Sequence, residues 1–235
     1  MKPWELLGAA AAPDGTDIRL MRQGDEYVIL ANGRPLMSSR MHGSEEALAT
    51  LGCAAARCLP GPRVLVGGLG MGYTLRAVLD VLPADAVVTV AELVPAVIQW
   101  NRESLAALAR HPLRDPRVRV DVTDVGFTLR AHREQFDAIL LDVDNGPAAF
   151  TAGANAGLYD NSGVAAAYAA LRPGGTLAVW SAWQDTKFEQ RLRFHRFTVE
   201  VVSVRARLKK GGPRHTIFLA HKGATSSTAL PANDE

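Results

Sequence analysis

Hydrophobic and polar positions change their spacing along the 235-residue chain, and the first regular pattern is that of short β-strands. Between residues 17 and 37, apolar runs are separated by turn sequences at Gly24-Asp25 and Asn32-Gly33, which predicts β-hairpins. The alanine-rich first dozen residues lack this pattern, so we expect a loose lead-in there. Residues 1–43 are therefore predicted to form a short N-terminal β unit.

From residue 44 onward, helix-like and strand-like runs alternate. The first helix is expected to start at Ser44 and to cover residues 44–59, with Glu45 and Glu46 in its first turn, where carboxylates are favourable. The strand-like runs are 64–67, 86–91, 118–120, 138–141 and 176–180, and the helix-like runs are 74–82, 95–108, 125–132, 162–171 and 187–195. Such alternation predicts an α/β domain with a mostly parallel sheet and helices on both faces.

The end of the chain departs from this alternation. Two β-rich runs, 197–207 and 214–220, are joined by a lysine- and glycine-containing turn, which predicts a hairpin at one edge of the sheet. Residues 44–222 are thus expected to form one domain, and the small, polar residues 223–235 a disordered tail.

Composition narrows the function classes. Hydrophobic residues make up 48% and charged residues 21%, and the net charge is only +2, so neither nucleic acid nor a membrane surface is an expected partner. No apolar run reaches the roughly 20 residues of a membrane span, and no secretion signal is visible, so we expect a cytoplasmic protein. Cys53 and Cys58 are five residues apart in the predicted helix; both are expected in the core, with no disulfide or metal site.

A glycine-rich loop follows the first strand of the main domain. Gly67, Gly68, Gly70 and Gly72 separate a buried strand from a helix, and glycine allows a ligand to approach the backbone closely. Glu92 ends the next strand, 20 residues after Gly72, where a carboxylate can accept both hydroxyls of a ribose. We interpret the loop and Glu92 as a nucleoside site; the alternative is a tight turn beside a surface glutamate.

The identity of the nucleoside follows from the glycine spacing. A loop that binds NAD requires another glycine one position after Gly72, where Tyr73 stands. The spacing Gly68-x-Gly70-x-Gly72 is instead similar to the loop of class I methyltransferase-like folds. The sequence therefore favours a sulfonium nucleoside of the S-adenosylmethionine type over NAD.

Further carboxylates follow the later strands. Asp124 comes after the third strand, where it could accept a hydrogen bond from an adenine amino group and could also cap the next helix. Asp142 and Asp144 come after the buried fourth strand, so Asp142 is expected to enter the cleft. Because a sulfonium and a polyamine are both cations, their pocket requires carboxylates that no other group neutralises.

With these features, residues 17–182 resemble the spermidine synthase family, the aminopropyltransferases of the methyltransferase-like superfamily. The resemblance implies a Rossmann-like methyltransferase fold, a mostly parallel seven-stranded sheet with a C-terminal β hairpin. It also implies that Glu92 holds the ribose, that Asp124 holds the adenine, and that Asp142 positions and deprotonates the attacking amine. We expect Asp144 or Glu45 to steer the cationic acceptor, and Tyr159 to face the bound cations.

The chain departs from the family in its shortened N-terminal β unit and at three sites in the main domain. Gly70 stands where the family has an aspartate, which leaves room for a carboxylate on the ligand. Ser44 and Glu45 stand where a tyrosine and a glutamine are usual, and Asp142 and Asp144 are two residues apart rather than three. The co-substrate could therefore be S-adenosylmethionine or its decarboxylated form.

The main expectation is an enzyme that transfers an aminopropyl group to a small-molecule amine, or another small acceptor, and releases methylthioadenosine without a metal. One alternative is an S-adenosylmethionine-dependent small-molecule methyltransferase. The other is a non-catalytic nucleoside-binding protein. Since members of the resembled family often dimerise or tetramerise, a homodimer is the expected assembly.

Overall fold

The computed structural model describes residues 2–143, 146–147, 156–207 and 212–224, and within these ranges the chain forms two β-sheets. The strands are β1 (Glu5–Ala11), β2 (Asp17–Gln23), β3 (Glu26–Ala31), β4 (Arg34–Ser38), β5 (Arg63–Gly67), β6 (Val87–Glu92), β7 (Val118–Val122), β8 (Phe136–Leu141), β9 (Leu171–Ser181), β10 (Thr198–Arg205) and β11 (Arg214–His221). The α-helices are α1 (Gly43–Gly52), α2 (Tyr73–Val81), α3 (Pro95–Arg102), α4 (Val125–Ala131), α5 (Ala156–Tyr159), α6 (Asn161–Ala170) and α7 (Thr186–Phe194). Short 3₁₀ turns lie at Ala56–Cys58 and Pro112–Arg114.

The first four strands form an antiparallel sheet in the order β1-β2-β3-β4. Its last hairpin turns at Asn32 and Gly33, whose φ angles of 48° and 74° are those of the predicted tight turn. The expectation of a loose lead-in was wrong, because residues 5–11 form β1, which pairs with β2. The backbone at Gly8 lies so close to the indole of Trp100 on α3 that a side chain there would collide with it.

The second sheet has seven strands in the order β10-β11-β9-β8-β5-β6-β7. Strands β5 to β9 pair in parallel, whereas β11 is antiparallel to both of its neighbours, β9 and β10. This arrangement confirms the predicted mostly parallel sheet with a C-terminal hairpin. The chain reverses direction across the sheet at β5, which lies between β6 and β8; ligands bind at such a point in open α/β sheets.

Side chains of the parallel strands alternate between two cores. Val64, Val66 and Leu140 pack with α1, α2, α3 and the N-terminal sheet. Leu65 and Leu141 point to the opposite face and pack with α4, α6 and α7. Because both faces are covered, β8 is buried along its whole length, which explains its apolar run from Ala138 to Leu141.

Two details of the first helix differ from the prediction. Helix α1 begins at Gly43 without a side-chain cap, so Ser44 does not act as its capping residue. The helix ends at Gly52, where the Cys53 amide closes the last turn on the carbonyls of Ala49 and Leu51. Cys53 is buried as predicted, but Cys58, beyond the helix end, is exposed; its placement in the core was wrong.

Across the described ranges, no helix has the length and apolar character of a membrane span.

Candidate active site at the carboxyl edge of the sheet

Three strand ends meet at the point where the strand order reverses. Gly67 ends β5, Glu92 ends β6, and Asp142 directly follows β8. Two backbone hydrogen bonds of 2.9 Å hold these ends together: the Asp142 amide donates to the Gly67 carbonyl, and the Gly68 amide donates to the Ala91 carbonyl. The glycine loop, Glu92 and Asp142, for which the sequence predicts binding and catalytic roles, are therefore neighbours in space.

Close packing around the loop explains its glycines. Gly68 has a φ of 86°, and a side chain there would collide with the carbonyl oxygen of Asp142. Gly70 has a φ of 50°, and a Cβ atom there would lie 2.8 Å from Met37 Cε. Gly72, with a φ of 82°, is the residue that precedes α2. Only glycine satisfies both the backbone conformation and the space at Gly68 and Gly70.

The Glu92 carboxylate joins the glycine loop to the end of β6. Its Oε2 accepts a hydrogen bond of 2.8 Å from the Leu69 amide, and its Oε1 accepts one of 2.8 Å from the Val94 amide. The residue is buried. Since each carboxylate oxygen offers a second lone pair, the same group can also accept hydroxyl donors. Its contact with a ribose remains a prediction.

Asp124 is the N-cap of α4. Its Oδ1 accepts hydrogen bonds from the amides of Gly126 (2.6 Å) and Phe127 (3.2 Å), which confirms the capping role. Within the described residues, Oδ2 accepts no hydrogen bond. That oxygen is the one that could accept the adenine amino group, a role that remains a prediction.

Glu45 and Asp142 lie close enough for the charge of Asp142 to affect the pKa of Glu45. We call these two residues the carboxylate pair. Burial, and secondly the charge of Asp142, raise the pKa of Glu45 to about 8. Burial raises the pKa of Asp142 to about 6, against the lowering effect of a hydrogen bond from Thr74. Across the described ranges, neither member of the pair forms an ion pair. A bound cation would favour the ionised form of both groups.

Each member of the pair has a hydroxyl partner. Thr74 Oγ1, in the first turn of α2, donates to Asp142 Oδ2 over 2.5 Å. Ser44 Oγ donates to Glu45 Oε2 over 2.6 Å. Sequence reasoning missed both roles, although the position of Thr74 at the start of the helix after a glycine loop is a signal that could have found it.

A histidine from the last strand extends this network. His215 Nδ1 lies 2.9 Å from Ser44 Oγ, although the two residues are 171 positions apart in sequence. The edge of the imidazole ring contacts the Trp180 ring, with the ring centres 4.6 Å apart. Trp180 Nε1 is buried and has no hydrogen-bond partner within the described ranges. No sequence motif points to His215.

Met37 of the N-terminal sheet lies beside Gly70, the position at which the resembled family has an aspartate. Met37 Sδ accepts a hydrogen bond of 3.3 Å from the Met71 amide. A Cβ atom on Gly70 would lie 2.9 Å from that sulfur. The Met37 side chain therefore lies beside Gly70, and room there for a ligand carboxylate stays a prediction.

The other predicted substrate residues are only partly placed. Tyr159 is buried; its hydroxyl donates to the Val143 carbonyl over 3.3 Å, and its ring packs edge-on against Phe188. It therefore lies beside the segment that follows Asp142, and its contact with substrate remains a prediction. Asp144 lies outside the described residues. Within the described ranges, no three His, Cys, Asp or Glu side chains form a group that could hold a metal ion.

Comparison with solved structures decides the fold. The structure of spermidine synthase from Thermotoga maritima matches with a TM-score of 0.72 at 20% identity, over 93% of this chain and 72% of that one. The chain has the spermidine synthase fold. A spermidine synthase in complex with the transition-state analogue AdoDATO matches with a TM-score of 0.70 at 21% identity, over 93% and 72% of the two chains.

A third structure, a probable spermidine synthase from Corynebacterium glutamicum ATCC 13032, has a TM-score of 0.60 at 20% identity, over 92% of this chain and 79% of that one. No family model and no curated protein matches this chain in sequence. The spermidine synthase-like fold that the sequence predicted is thus confirmed by structure rather than by sequence similarity.

Proposed function

We propose that the protein transfers an aminopropyl group from decarboxylated S-adenosylmethionine to a small-molecule amine and releases methylthioadenosine. The observation that carries this proposal is the carboxylate pair. Asp142 lies beside the glycine loop, and its charge raises the pKa of Glu45. Neither residue forms an ion pair within the described ranges.

Charge complementarity favours two cationic reactants. Buried Glu45 and half-buried Asp142 are costly to ionise together without a partner, and the raised pKa of each reflects that cost. A sulfonium carries a fixed positive charge, and an aliphatic amine is an ammonium at neutral pH. Each reactant would therefore favour ionisation of the pair, and the pair would hold the two cations near one another.

Asp142 is suited to accept the proton of the amine. Its pKa of about 6 lies close to neutral pH, where a general base works best. Thr74 holds Oδ2, which fixes the carboxylate at the end of β8. The freed nitrogen lone pair attacks the methylene carbon next to sulfur, the C–S bond breaks, and its electron pair stays on sulfur. Because the leaving group is a neutral thioether, the protein supplies alignment and a base but no acid.

The nucleoside end of the co-substrate is assigned to the loop side of the crevice. We assign the ribose to Glu92, the adenine to Asp124, and close backbone approach to Gly68, Gly70 and Gly72. The similarity in fold to a spermidine synthase solved with AdoDATO supports an S-adenosylmethionine-derived ligand of this kind.

One observation favours a second candidate, methyl transfer from S-adenosylmethionine. Residues 67–72 contain no acidic side chain that could pair with the ammonium of an aminopropyl tail. Met37 covers the position where such an acid would stand. A ligand that brings its own carboxylate would neutralise its ammonium without the loop.

Product analysis separates these candidates. The full chain is incubated with decarboxylated S-adenosylmethionine and a panel of diamines, polyamines and monoamines, and methylthioadenosine is quantified by chromatography. Release that depends on one of the amines is the expected result. Parallel reactions with S-adenosylmethionine report methyl transfer through S-adenosylhomocysteine. If no amine causes methylthioadenosine release, aminopropyl transfer is wrong, and nucleoside binding without either product indicates a non-catalytic protein.

A further inference from the structure

A three-member hydrogen-bonded chain leads from the carboxylate pair to the outer part of the sheet. Ser44 Oγ is 2.6 Å from Glu45 Oε2 and 2.9 Å from His215 Nδ1. Ser44 and Glu45 are buried, whereas His215 on β11 is partly exposed. The serine hydroxyl is therefore the link between an acid inside the site and an imidazole that water can reach.

We infer that Ser44 and His215 form the route by which the proton set free in amine alkylation leaves the carboxylate pair. This inference rests on the proposed function. His215 acts through Ser44 and touches neither reactant, so it is a positioning residue rather than a catalytic one.

Each turnover sets one proton free, and that proton must leave the site. An ammonium and a sulfonium react to give a secondary ammonium, a neutral thioether and one free proton, as the N–C bond forms and the C–S bond breaks. That proton is left on the carboxylate pair, where the charge of Asp142 favours protonation of Glu45. It must return to water before the next amine is deprotonated. Asp142 is half-buried, whereas Glu45 is only 6% exposed, so a proton held by Glu45 leaves through the polar groups that contact it.

A serine hydroxyl can pass the proton on because it donates and accepts at once. When Glu45 is protonated, the acid donates to Ser44 Oγ, and the hydroxyl donates to Nδ1 of a neutral imidazole. When the proton moves outward, the hydroxyl donates to the Glu45 carboxylate, and Nδ1–H of the imidazole donates to Oγ. The observed distances suit both arrangements, so the transfer needs no rearrangement of heavy atoms.

The surroundings of His215 favour release of a proton from the imidazole to water over its retention on the ring. Trp180 of β9 contacts one side of the ring, and Ser44 of α1 contacts Nδ1. The neighbouring charged side chains on the strands are Arg214 of β11 and Arg205, its partner on β10. Beyond Ser44, the charged groups are those of the carboxylate pair. Burial lowers the pKa of His215, so an imidazolium formed there gives its proton up readily.

The decisive test observes His215 in the ligand-free full chain by ¹⁵N NMR across pH 5 to 9. In the wild type, the Nδ1 shift should show two steps, one for the imidazole and one that follows the carboxylate pair, as Nδ1 changes from acceptor to donor. Glu45→Gln and Ser44→Ala should each remove the second step. His221, whose Nδ1 lies 3.0 Å from Thr176 Oγ1 at the other end of β11, is the internal control, and its Nδ1 shift should be the same in the wild type and both variants. A single step for wild-type His215 overturns the inference.

Activity gives a second, separable readout. His215→Ala should lower methylthioadenosine release by roughly tenfold, less than loss of a direct base would. Added imidazole should restore it, whereas His221→Ala should be neither impaired nor rescued. Failure of imidazole to rescue an impaired but folded variant contradicts the route. Absence of release by the wild type contradicts the proposed function instead, and the NMR result then decides the inference alone.

Discussion

Thr74 Oγ1 donates a hydrogen bond of 2.5 Å to Asp142 Oδ2, so the helix that follows the glycine loop holds the carboxylate that follows β8. The same turn of chain that would approach the nucleoside thereby orients the group to which we assign proton transfer. The proposed nucleoside contacts of the glycine loop and the proposed positioning of the base thus come from one short segment, residues 67–74.

The first prediction concerns this hydrogen bond. Thr74→Val removes a donor that favours the charged carboxylate, so the pKa of Asp142 should rise above its value of about 6. The acid limb of the kcat/KM profile for methylthioadenosine release should shift to higher pH. Thr74→Ser keeps a hydroxyl, so the acid limb of its kcat/KM profile should lie at the same pH as that of the wild type. An acid limb that is the same in all three proteins would show that Asp142 is not the titrating base.

The second prediction separates catalysis from binding. Asp142→Asn preserves the shape of the side chain but removes the base, so kcat should fall by roughly 10² or more. The affinity for methylthioadenosine, measured by calorimetry, should stay near that of the wild type. Asp121→Asn, on the exposed end of β7, is the matched control and should leave both quantities unchanged. Equal loss of kcat in Asp142→Asn and Asp121→Asn would contradict the assignment of Asp142 as the base.

The third prediction concerns stability and pH. Folding raises the pKa of Glu45 from 4.5 to about 8, so the folded protein holds this proton more tightly than the unfolded chain does. That contribution to stability is complete below pH 4.5 and is lost as pH rises through 8. Between these limits, the free energy of unfolding of the wild type should fall relative to that of Glu45→Gln, by up to about 1.4 kcal/mol per pH unit.

Urea denaturation at several pH values checks this trend. Glu103→Gln, at an exposed position after α3, is the control and should run parallel to the wild type. Parallel curves for the wild type and Glu45→Gln would mean that Glu45 titrates in the folded protein as it does in the unfolded chain.

The fourth prediction tests the contact between Met37 and Gly70. Gly70→Ala places a Cβ atom 2.8 Å from Met37 Cε in a left-handed conformation, which costs about 1–2 kcal/mol for the backbone alone. Met37→Ala should relieve the collision, so the double variant should lose less stability than the sum of the single losses. Gly24 also has a positive φ, of 62°, but a Cβ atom added there would meet nothing within 4 Å. Gly24→Ala should therefore show only the backbone cost and no coupling to Met37. Additive losses at Gly70 would contradict the contact.

Sequence patterns within short segments were sufficient to predict the contacts between residues that are close in sequence. The glycine loop and Glu92 belong to one strand-helix-strand unit, and the capping by Asp124 requires only the next three residues. The carboxylate pair was only partly foreseen, because Glu45 and Asp142 are brought together by the packing of α1 against the sheet.

Contacts between distant segments could not be read from any local pattern. Strand β1 has a weak sequence pattern and forms because β2 pairs with it and Trp100 packs against it. Met37 comes to Gly70 from a different sheet, and His215 comes to Ser44 from the other end of the chain. Hydrophobic periodicity carries no information about which side chains such packing brings together.

We propose that the crevice between the glycine loop and Glu92 binds the adenosine part of a sulfonium nucleoside. Isothermal calorimetry with methylthioadenosine on the wild type, Glu92→Gln and the control Glu103→Gln measures this binding. Saturable binding to the wild type and the control is expected. Binding to Glu92→Gln should be at least tenfold weaker, because an amide has only one acceptor oxygen for the two backbone donors and the ribose. No binding to the folded wild type, or equal affinity in all three proteins, would contradict it.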